Sequence, residues 1–218
     1  MRLEPGCERV GPERVSPRDW YSRGLVSVVQ IVLFLRTTDE QYIAERGWES
    51  AVLDVCPFHP SGGCGVSGHG SYARVRPAGV RIARFLCAVA GRTISLLPSF
   101  LASRMTGTLE EIERVIDIVE STPSLAAASE TARPDDDDDA VTSISAMRWV
   151  RRRVRPIRSA LVALITLLPD VLGECAPTLR AIREHLGVKR VLVALRAIGI
   201  EHLHALAPPL GLCARGRR

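Results

Sequence analysis

Cysteine and histidine are concentrated between Cys56 and Cys87, in a stretch punctuated by glycine and proline, and this concentration restricts the folds open to the chain. Three of the six cysteines and two of the five histidines lie there: Cys56, His59, Cys64, His69 and Cys87. Thiolate and imidazole groups are ligands that zinc prefers, and a backbone rich in turns can bring several of them around one ion. The sequence therefore predicts a small module organised by a metal ion.

We predict that one structural zinc ion is bound by Cys56, His59, Cys64 and Cys87. Three thiolates and one imidazole are an accepted ligand set for structural zinc. His69 is the alternative to Cys64 as a ligand. Two other interpretations are a cluster that has lost its metal and serves only packing, and a disulfide framework, which the lack of a preceding secretory signal disfavours.

Charge is unevenly distributed along a chain whose net charge is +5. Residues 64–107 contain six arginines and no acid, residues 108–139 contain eleven acids and two arginines, and residues 140–218 contain fourteen bases and four acids. Basic stretches suit phosphate backbones, so nucleic acid is a candidate partner. The alternative is that arginine-rich, solvated helix faces simply follow the base composition of the gene.

Targeting signals and membrane spans are not predicted. Residues 1–18 alternate charges with proline and glycine and lack the apolar core of a signal peptide. The apolar runs at residues 25–35 and 160–168 are too short to cross a bilayer as helices. We therefore expect a cytoplasmic protein without a membrane partner.

The order of turns and apolar residues predicts an α+β fold that is mostly α. Residues 71–76 and 80–86 flank a Pro-Ala-Gly turn and are expected to form a β-hairpin, with residues 93–97 as a third strand. Residues 20–36 are mostly apolar, and their pattern fits either a helix or a pair of buried strands.

Helices are predicted in the rest of the chain. Thr108 and Glu111 have the spacing of a capping box, which should begin a helix that ends near Ser121. The other predicted helices are residues 40–51, 124–132, 142–155, 157–168, 177–185 and 188–206. Five consecutive aspartates at 135–139 are expected to form a solvated loop, because adjacent carboxylates repel each other.

The helix at residues 142–155 is predicted to have one buried face and one cationic face. Its apolar residues recur at helical spacing and should be buried: Ile144, Met147, Val150 and Val154. Pro156 should bend or end the helix. A helix with such faces is typical of one that lies in a DNA groove. The predicted nucleic-acid contacts are Arg148, Arg151, Arg152, Arg153 and Arg155. The alternative is an ordinary amphipathic helix.

The order of these pieces resembles that of bacterial proteins that combine a zinc ribbon with a helix-turn-helix and are related to the N-terminal regions of transposases. The resemblance is carried by residues 56–59 (Cys-Pro-Phe-His), 69–74 (His-Gly-Ser-Tyr-Ala-Arg) and 91–98 (Gly-Arg-Thr-Ile-Ser-Leu-Leu-Pro). Trp149, followed by Arg151-Arg152-Arg153, is similar to the recognition helix found downstream in such proteins. Ala90 stands where such a ribbon has its fourth cysteine.

The resemblance covers about residues 40–155, and together with the pattern of the remaining residues it predicts four regions in the chain. They are an N-terminal segment (1–37), a zinc-ribbon-like β-hairpin module (38–105), a helix-turn-helix-like region with the acidic loop (106–156) and a helical C-terminal tail (157–218).

The resemblance also implies a DNA-binding protein related to mobile elements but without a catalytic core. We predict that the chain is not an enzyme, because it contains no glycine-rich phosphate loop and no nucleophile motif. The alternative function is a zinc-ribbon adaptor that binds a protein partner, or a second copy of itself, without binding nucleic acid.

Overall fold

A computed structural model describes residues 30–132 and 143–212 of the chain. The predicted α+β, mostly α fold is confirmed, because a sheet is followed along the chain by a larger helical region. The predicted acidic loop at 135–139, Thr142 and most of the predicted N-terminal segment lie outside the described residues.

Four strands form a mixed sheet in the order β1-β4-β3-β2. They are β1 (Gln30–Leu33), β2 (Ser67–Ala73), β3 (Arg81–Cys87) and β4 (Arg92–Pro98). The pairs β2–β3 and β3–β4 are antiparallel, and β1 pairs with β4 in parallel. The predicted hairpin and third strand are confirmed, although β2 begins and ends earlier than predicted.

The described helices are α1 (Asp39–Ala44), α2 (Leu109–Ser121), α3 (Leu125–Thr131), α4 (Ser143–Leu167), α5 (Pro169–Leu172), α6 (Leu179–Leu186) and α7 (Val191–Ile198). The predicted capping box is confirmed at α2, where Thr108 Oγ1 accepts the Glu111 N–H and the Glu111 carboxylate accepts the Thr108 N–H. Helix α1 is shorter than predicted.

Helix α4 corrects the prediction that Pro156 ends one helix and separates it from a second at residues 157–168. It runs for 25 residues through Pro156. Proline inside a helix costs about 3 kcal/mol, but the buried face continues without interruption on both sides, through Val150, Val154, Ile157 and Leu161. Burial of these side chains therefore outweighs the cost of proline. Ile144 was predicted to be buried, which is wrong, since it is 56% exposed.

The predicted helix over residues 188–206 is also corrected. Helix α7 ends at Ile198 and a 3₁₀ turn follows at Ile200–His202. A Cβ atom on the intervening Gly199 would lie 2.7 Å from Leu164 Cδ2 of α4. A larger residue at this position would therefore require Leu164 to shift where α7 ends against α4.

Helix α2 organises the helices that follow it. The buried Glu113 carboxylate accepts the backbone N–H groups of Val191 and Leu192 at the start of α7. Glu120 accepts those of Leu179 and Arg180 at the start of α6. Because the first N–H groups of a helix have no partners inside it, these carboxylates supply both the missing acceptors and a favourable charge.

One main hydrophobic cluster joins the sheet to the helices. It includes residues from the sheet (Ile82, Leu97), from α2 (Ile116), from α4 (Leu161) and from α7 (Leu195). The boundaries between the four predicted regions stay predictions. All four regions contribute side chains to this cluster, from Val32 in the first to Leu212 in the last.

Arg196 of α7 is fully buried and acts as a link between distant segments. Its guanidinium donates hydrogen bonds to the carbonyl oxygens of Ser99 and Leu101, after β4, and of Pro209 and Leu210, near the C-terminal end of the described chain. Burial lowers the pKa of Arg196 to about 9. Four carbonyl oxygens thus take the place of the water that would otherwise solvate the charge.

Candidate metal centre and basic surface

Three of the four predicted zinc ligands lie in the loop between α1 and β2. The His59 N–H donates to the Cys56 carbonyl oxygen at 3.1 Å, and the Gly62 N–H donates to the His59 carbonyl oxygen at 2.9 Å. These consecutive turns fold the loop back on itself. Gly62 and Gly63 have φ values of 84° and 81°, a left-handed conformation that favours glycine. The glycines thus let the loop carry Cys64 towards Cys56.

The fourth predicted ligand, Cys87, is the last residue of β3 and is held by the sheet. It lies opposite Arg92 of β4 in the strand register. Its Sγ accepts a hydrogen bond from the Ala90 N–H at 3.4 Å. The sheet therefore provides a fixed thiol, and the loop folds three further groups against it.

The ligand atoms of Cys56, His59, Cys64 and Cys87 all lie within 4.8 Å of one another. His59 Nδ1 is 3.3 Å from Cys87 Sγ and 3.7 Å from Cys56 Sγ. Tetrahedral zinc, with bonds of about 2.3 Å to sulfur and about 2.0–2.1 Å to nitrogen, places such atoms about 3.6 Å apart. The four groups are therefore arranged to hold a metal ion.

The alternative ligand His69 lies elsewhere. It is exposed on β2 and does not belong to the group that surrounds His59. Cys64, by contrast, is only 6% exposed and lies with the other two thiols. The choice of Cys64 over His69 thus agrees with the positions of the side chains.

The metal centre has a small apolar surround of its own. Cys56, Cys64, Cys87 and Ile94 form a buried cluster that is separate from the main one, and Phe58 packs against it. Even with the other partly buried side chains that pack against it, such as Leu53 and Phe85, this cluster is far smaller than the main one, and small modules of this kind usually depend on a metal or disulfides. We therefore expect the fold of the loop between α1 and β2 to depend on a bound metal ion more than the rest of the described chain does.

A complete zinc ribbon is not established by this arrangement. Three of the gathered groups come from a single loop, and only Cys87 comes from the hairpin. Ala90, where the resemblance places a fourth cysteine, contributes its backbone N–H and no ligand. The metal-binding arrangement is thus Cys₃His, and membership of a ribbon family stays a prediction.

Metal binding at this centre should weaken as the pH falls. Burial raises the pKa of the Cys56 thiol to about 11, although N–H groups of the loop partly oppose the rise. The pKa of Cys87 is lowered: desolvation raises it, but hydrogen bonds from the Ala90 N–H and from the neighbouring thiols outweigh that effect. A bound metal requires thiolates, so it must displace protons.

We therefore predict that zinc affinity falls by roughly tenfold per pH unit for each displaced proton between pH 8 and pH 6. Competition with a chromophoric chelator at fixed ionic strength measures this dependence, after correction for the chelator's own protonation. An affinity that does not change with pH would contradict thiolate ligation.

The predicted nucleic-acid contacts fall into two groups on α4. Arg148, Arg151, Arg152 and Arg155 are exposed. Arg153 instead lies with its guanidinium carbon 3.7 Å from the centre of the Trp149 ring, and burial lowers its pKa. Arg153 is thus engaged in packing, whereas the other four present their charge to solvent.

Two adjoining cavities are lined by three of these four exposed arginines, all but Arg148. The first, of about 810 Å³, is lined by Arg104, Met105, Arg151, Arg152, Arg155, Pro156 and Pro208. The second, of about 480 Å³, is lined by Val119, residues 122–125, Arg151, Val154, Arg155, Arg158 and Ser159. Because Arg151 and Arg155 line both, the two cavities meet at α4. We call this region the arginine groove.

Sequence reasoning missed two arginines of the groove. Arg104 lies between β4 and α2, far from α4 in sequence, and nothing in the pattern connected it with α4. Arg158 follows Pro156, where the helix was predicted to stop, so it was not counted with the helix's cationic face. The sequence signal for Arg158 is the apolar spacing that continues across Pro156, from Val154 to Ile157 and Leu161, because it indicates one helix with one cationic face.

The groove's arginines lack acidic partners within residues 30–132 and 143–212. The ion pairs described there involve Arg46, Arg183 and Arg190. Helix α2 uses its acids for structure: Glu113 and Asp117 bind Arg183. The arginine groove is therefore a concentration of positive charge that the described part of the chain leaves unneutralised.

No described helix is long and apolar enough to cross a membrane. Comparisons of the chain with protein-family models, curated proteins and solved structures give no match. The resemblance to ribbon and helix-turn-helix proteins stays a prediction.

Proposed function

We propose that the protein binds nucleic acid, DNA in the first instance, through the arginine groove, and that a structural zinc ion at the Cys₃His centre holds its loop and hairpin in place. The observation that carries the proposal is the set of five arginines that line the two cavities without an acidic partner among the described residues: Arg104, Arg151, Arg152, Arg155 and Arg158. Clustered arginine is suited to phosphate because the planar guanidinium binds it with two parallel hydrogen bonds.

Zinc is the metal that the donor set favours. Thiolate and imidazole ligands in tetrahedral geometry select zinc over magnesium or calcium, which prefer oxygen. Four protein ligands leave no open position, and closed zinc sites are structural, whereas catalytic sites keep a position for water or substrate. The role proposed for the metal is therefore to stabilise the fold.

The basic residues of the hairpin are a weaker candidate surface. Arg74 donates to the carbonyl oxygens of Ala102 and Met105. Arg81 donates to the side chain and the backbone of Ser71. Since these two guanidinium groups already have partners and Arg76 is the exposed arginine left beside them, the groove, with its larger set of arginines, is the better candidate for phosphate contact.

We predict that the double substitution Arg151→Ala and Arg155→Ala weakens binding of a 20-base-pair DNA at low salt by at least tenfold. Both side chains line both cavities, so their loss removes charge from the whole groove. Each lost phosphate contact should also reduce the slope of log K against log salt by about 0.9. Fluorescence anisotropy over a series of salt concentrations measures both quantities.

The matched control is Arg114→Ala with Arg180→Ala, which removes the same charge from exposed positions on α2 and α6. Equal loss of affinity in both double variants would show that net charge, not the groove, determines binding. Absence of binding to both duplex and single-stranded DNA in the parent protein would leave the adaptor function ahead.

A further inference from the structure

We propose that the ligand of the arginine groove is a single-stranded nucleic acid that crosses α4 from one cavity to the other. This inference rests on the nucleic-acid-binding function proposed above and specifies the form of the ligand. It departs from the helix-turn-helix expectation, in which α4 would enter the major groove of a duplex.

The position of the arginines along α4 argues against duplex reading. In a helix-turn-helix, the N-terminal residues of the recognition helix contact the bases. The groove arginines Arg151, Arg155 and Arg158 lie in about the third to fifth turns of α4, which begins at Ser143. Arg148, which is nearer the start of the helix, lines neither cavity.

The shape of the surface argues in the same direction. A helix that enters a major groove about 12 Å wide must project from its domain. Here the arginines of α4 lie in recesses. The opposite wall is formed by Arg104, Met105 and Pro208 in the first cavity and by residues 122–125 in the second. A flexible single strand can follow such recesses, whereas a rigid duplex meets their walls.

The walls also provide contacts for unpaired bases. Met105, Pro156 and Pro208 add apolar surface to the first cavity, and Val119 and Leu125 add it to the second. Unstacked bases are held by apolar contact and by stacking on guanidinium planes. Phosphate contact from the same arginines would track the backbone, as in other grooves that bind single strands.

The extent of the groove favours a chain over a compact ligand. Arg104 lines only the first cavity and Arg158 only the second, with Arg151 and Arg155 between them. Arg151 and Arg158 are seven residues apart on one helix, about 10 Å along its axis. A ligand that contacts both Arg151 and Arg158 must therefore span about 10 Å along the helix, and one that also reaches Arg104 must continue into the first cavity.

The test uses the full chain with its zinc and three labelled probes: a 20-nucleotide oligo-dT, a 20-base-pair duplex, and a heparin fragment of comparable charge. We expect the single strand to bind at least tenfold more tightly than either of the others in anisotropy titrations. Arg104→Ala and Arg158→Ala should each weaken single-strand binding several-fold and each reduce its salt slope by about 0.7. Arg114→Ala is the control and should leave both unchanged.

The possible outcomes are distinct. Duplex binding as tight as single-strand binding would overturn this inference and leave the nucleic-acid function in place. If heparin, which has charge but no bases, binds as tightly as the single strand, the proposed contacts with bases are wrong. If only one of Arg104→Ala and Arg158→Ala weakens binding, and circular dichroism shows that both variants are folded, the strand occupies one cavity and does not cross α4. Failure of all three probes would overturn the proposed function as well.

Discussion

Replacing Cys87 with serine should abolish zinc binding and unfold the loop that carries Cys56, His59 and Cys64. Cys87 is the thiol that the sheet holds in place, and it is fully buried. Zinc binding contributes about 10–16 kcal/mol in structural sites, and this free energy is folding free energy for the segments that supply the ligands. The small apolar cluster around the site cannot replace it.

Elemental analysis of protein purified without chelator measures the metal, and hydrogen exchange locates the unfolding. We expect the parent to carry one zinc per chain and the variant none, with faster exchange at residues 52–66 and slow exchange retained in α2, α4 and α7. His69→Ala and Cys175→Ser are matched controls, since neither residue belongs to the cluster. Zinc lost from His69→Ala, or retained in Cys87→Ser, would contradict this ligand set.

Replacing Arg196 with methionine should destabilise the protein by at least about 3 kcal/mol, because it removes several buried hydrogen bonds from a charged donor, each of which contributes about 1.5–3 kcal/mol. The substitution leaves three carbonyl oxygens without their donor among the described residues, since that of Pro209 still accepts the Ser103 N–H, and each unsatisfied buried acceptor costs about 1–3 kcal/mol. Removing a charge that is costly to bury offsets part of this. Denaturant unfolding followed by circular dichroism measures the change in the free energy of unfolding.

Arg190→Ala is the control for this prediction. Arg190 forms an exposed ion pair with Glu110 at 3.1 Å, and exposed pairs contribute at most about 1 kcal/mol. If Arg196→Met is as stable as Arg190→Ala, the guanidinium does not link β4 to the C-terminal segment in the way that its hydrogen bonds indicate.

Local features of the fold were predictable because their signals lie within a few residues. The capping box at Thr108 depends on two side chains three positions apart. The left-handed C-cap at Gly187, with φ 62°, depends on one residue. The four residues that could hold a metal ion were predictable for a similar reason, since residue type alone restricts the candidates, and only the choice between Cys64 and His69 required the positions of the loop and β2.

Features that depend on distant contacts were not predictable. Pro156 has the local signature of a helix end, but burial of Val154 and Ile157 on both sides keeps α4 continuous. Arg196 looks like any arginine of an amphipathic helix, because its partners are up to 97 residues away. The same holds for Glu113, whose role depends on helices that begin far along the chain.

The arginine groove contains both residues that local sequence predicts and residues that distant contacts bring in. Arginines on one face of a helix can be recognised from their spacing, and four of those predicted are exposed on α4. Arg153 was predicted with them, but its guanidinium packs on the Trp149 ring and is not among the exposed arginines. Arg104 enters the groove only because the loop after β4 folds against α4.

Photocrosslinking of a bound oligonucleotide, followed by mass spectrometry of the attached peptides, tests most directly whether the arginine groove is the nucleic-acid site. We predict attachment in the peptides that contain residues 104–105, 119–125 and 148–159, and loss of that attachment in the Arg151→Ala and Arg155→Ala variant. Attachment confined to the β2–β3 hairpin, around Arg74, Arg76 and Arg81, with none on α4, would contradict it.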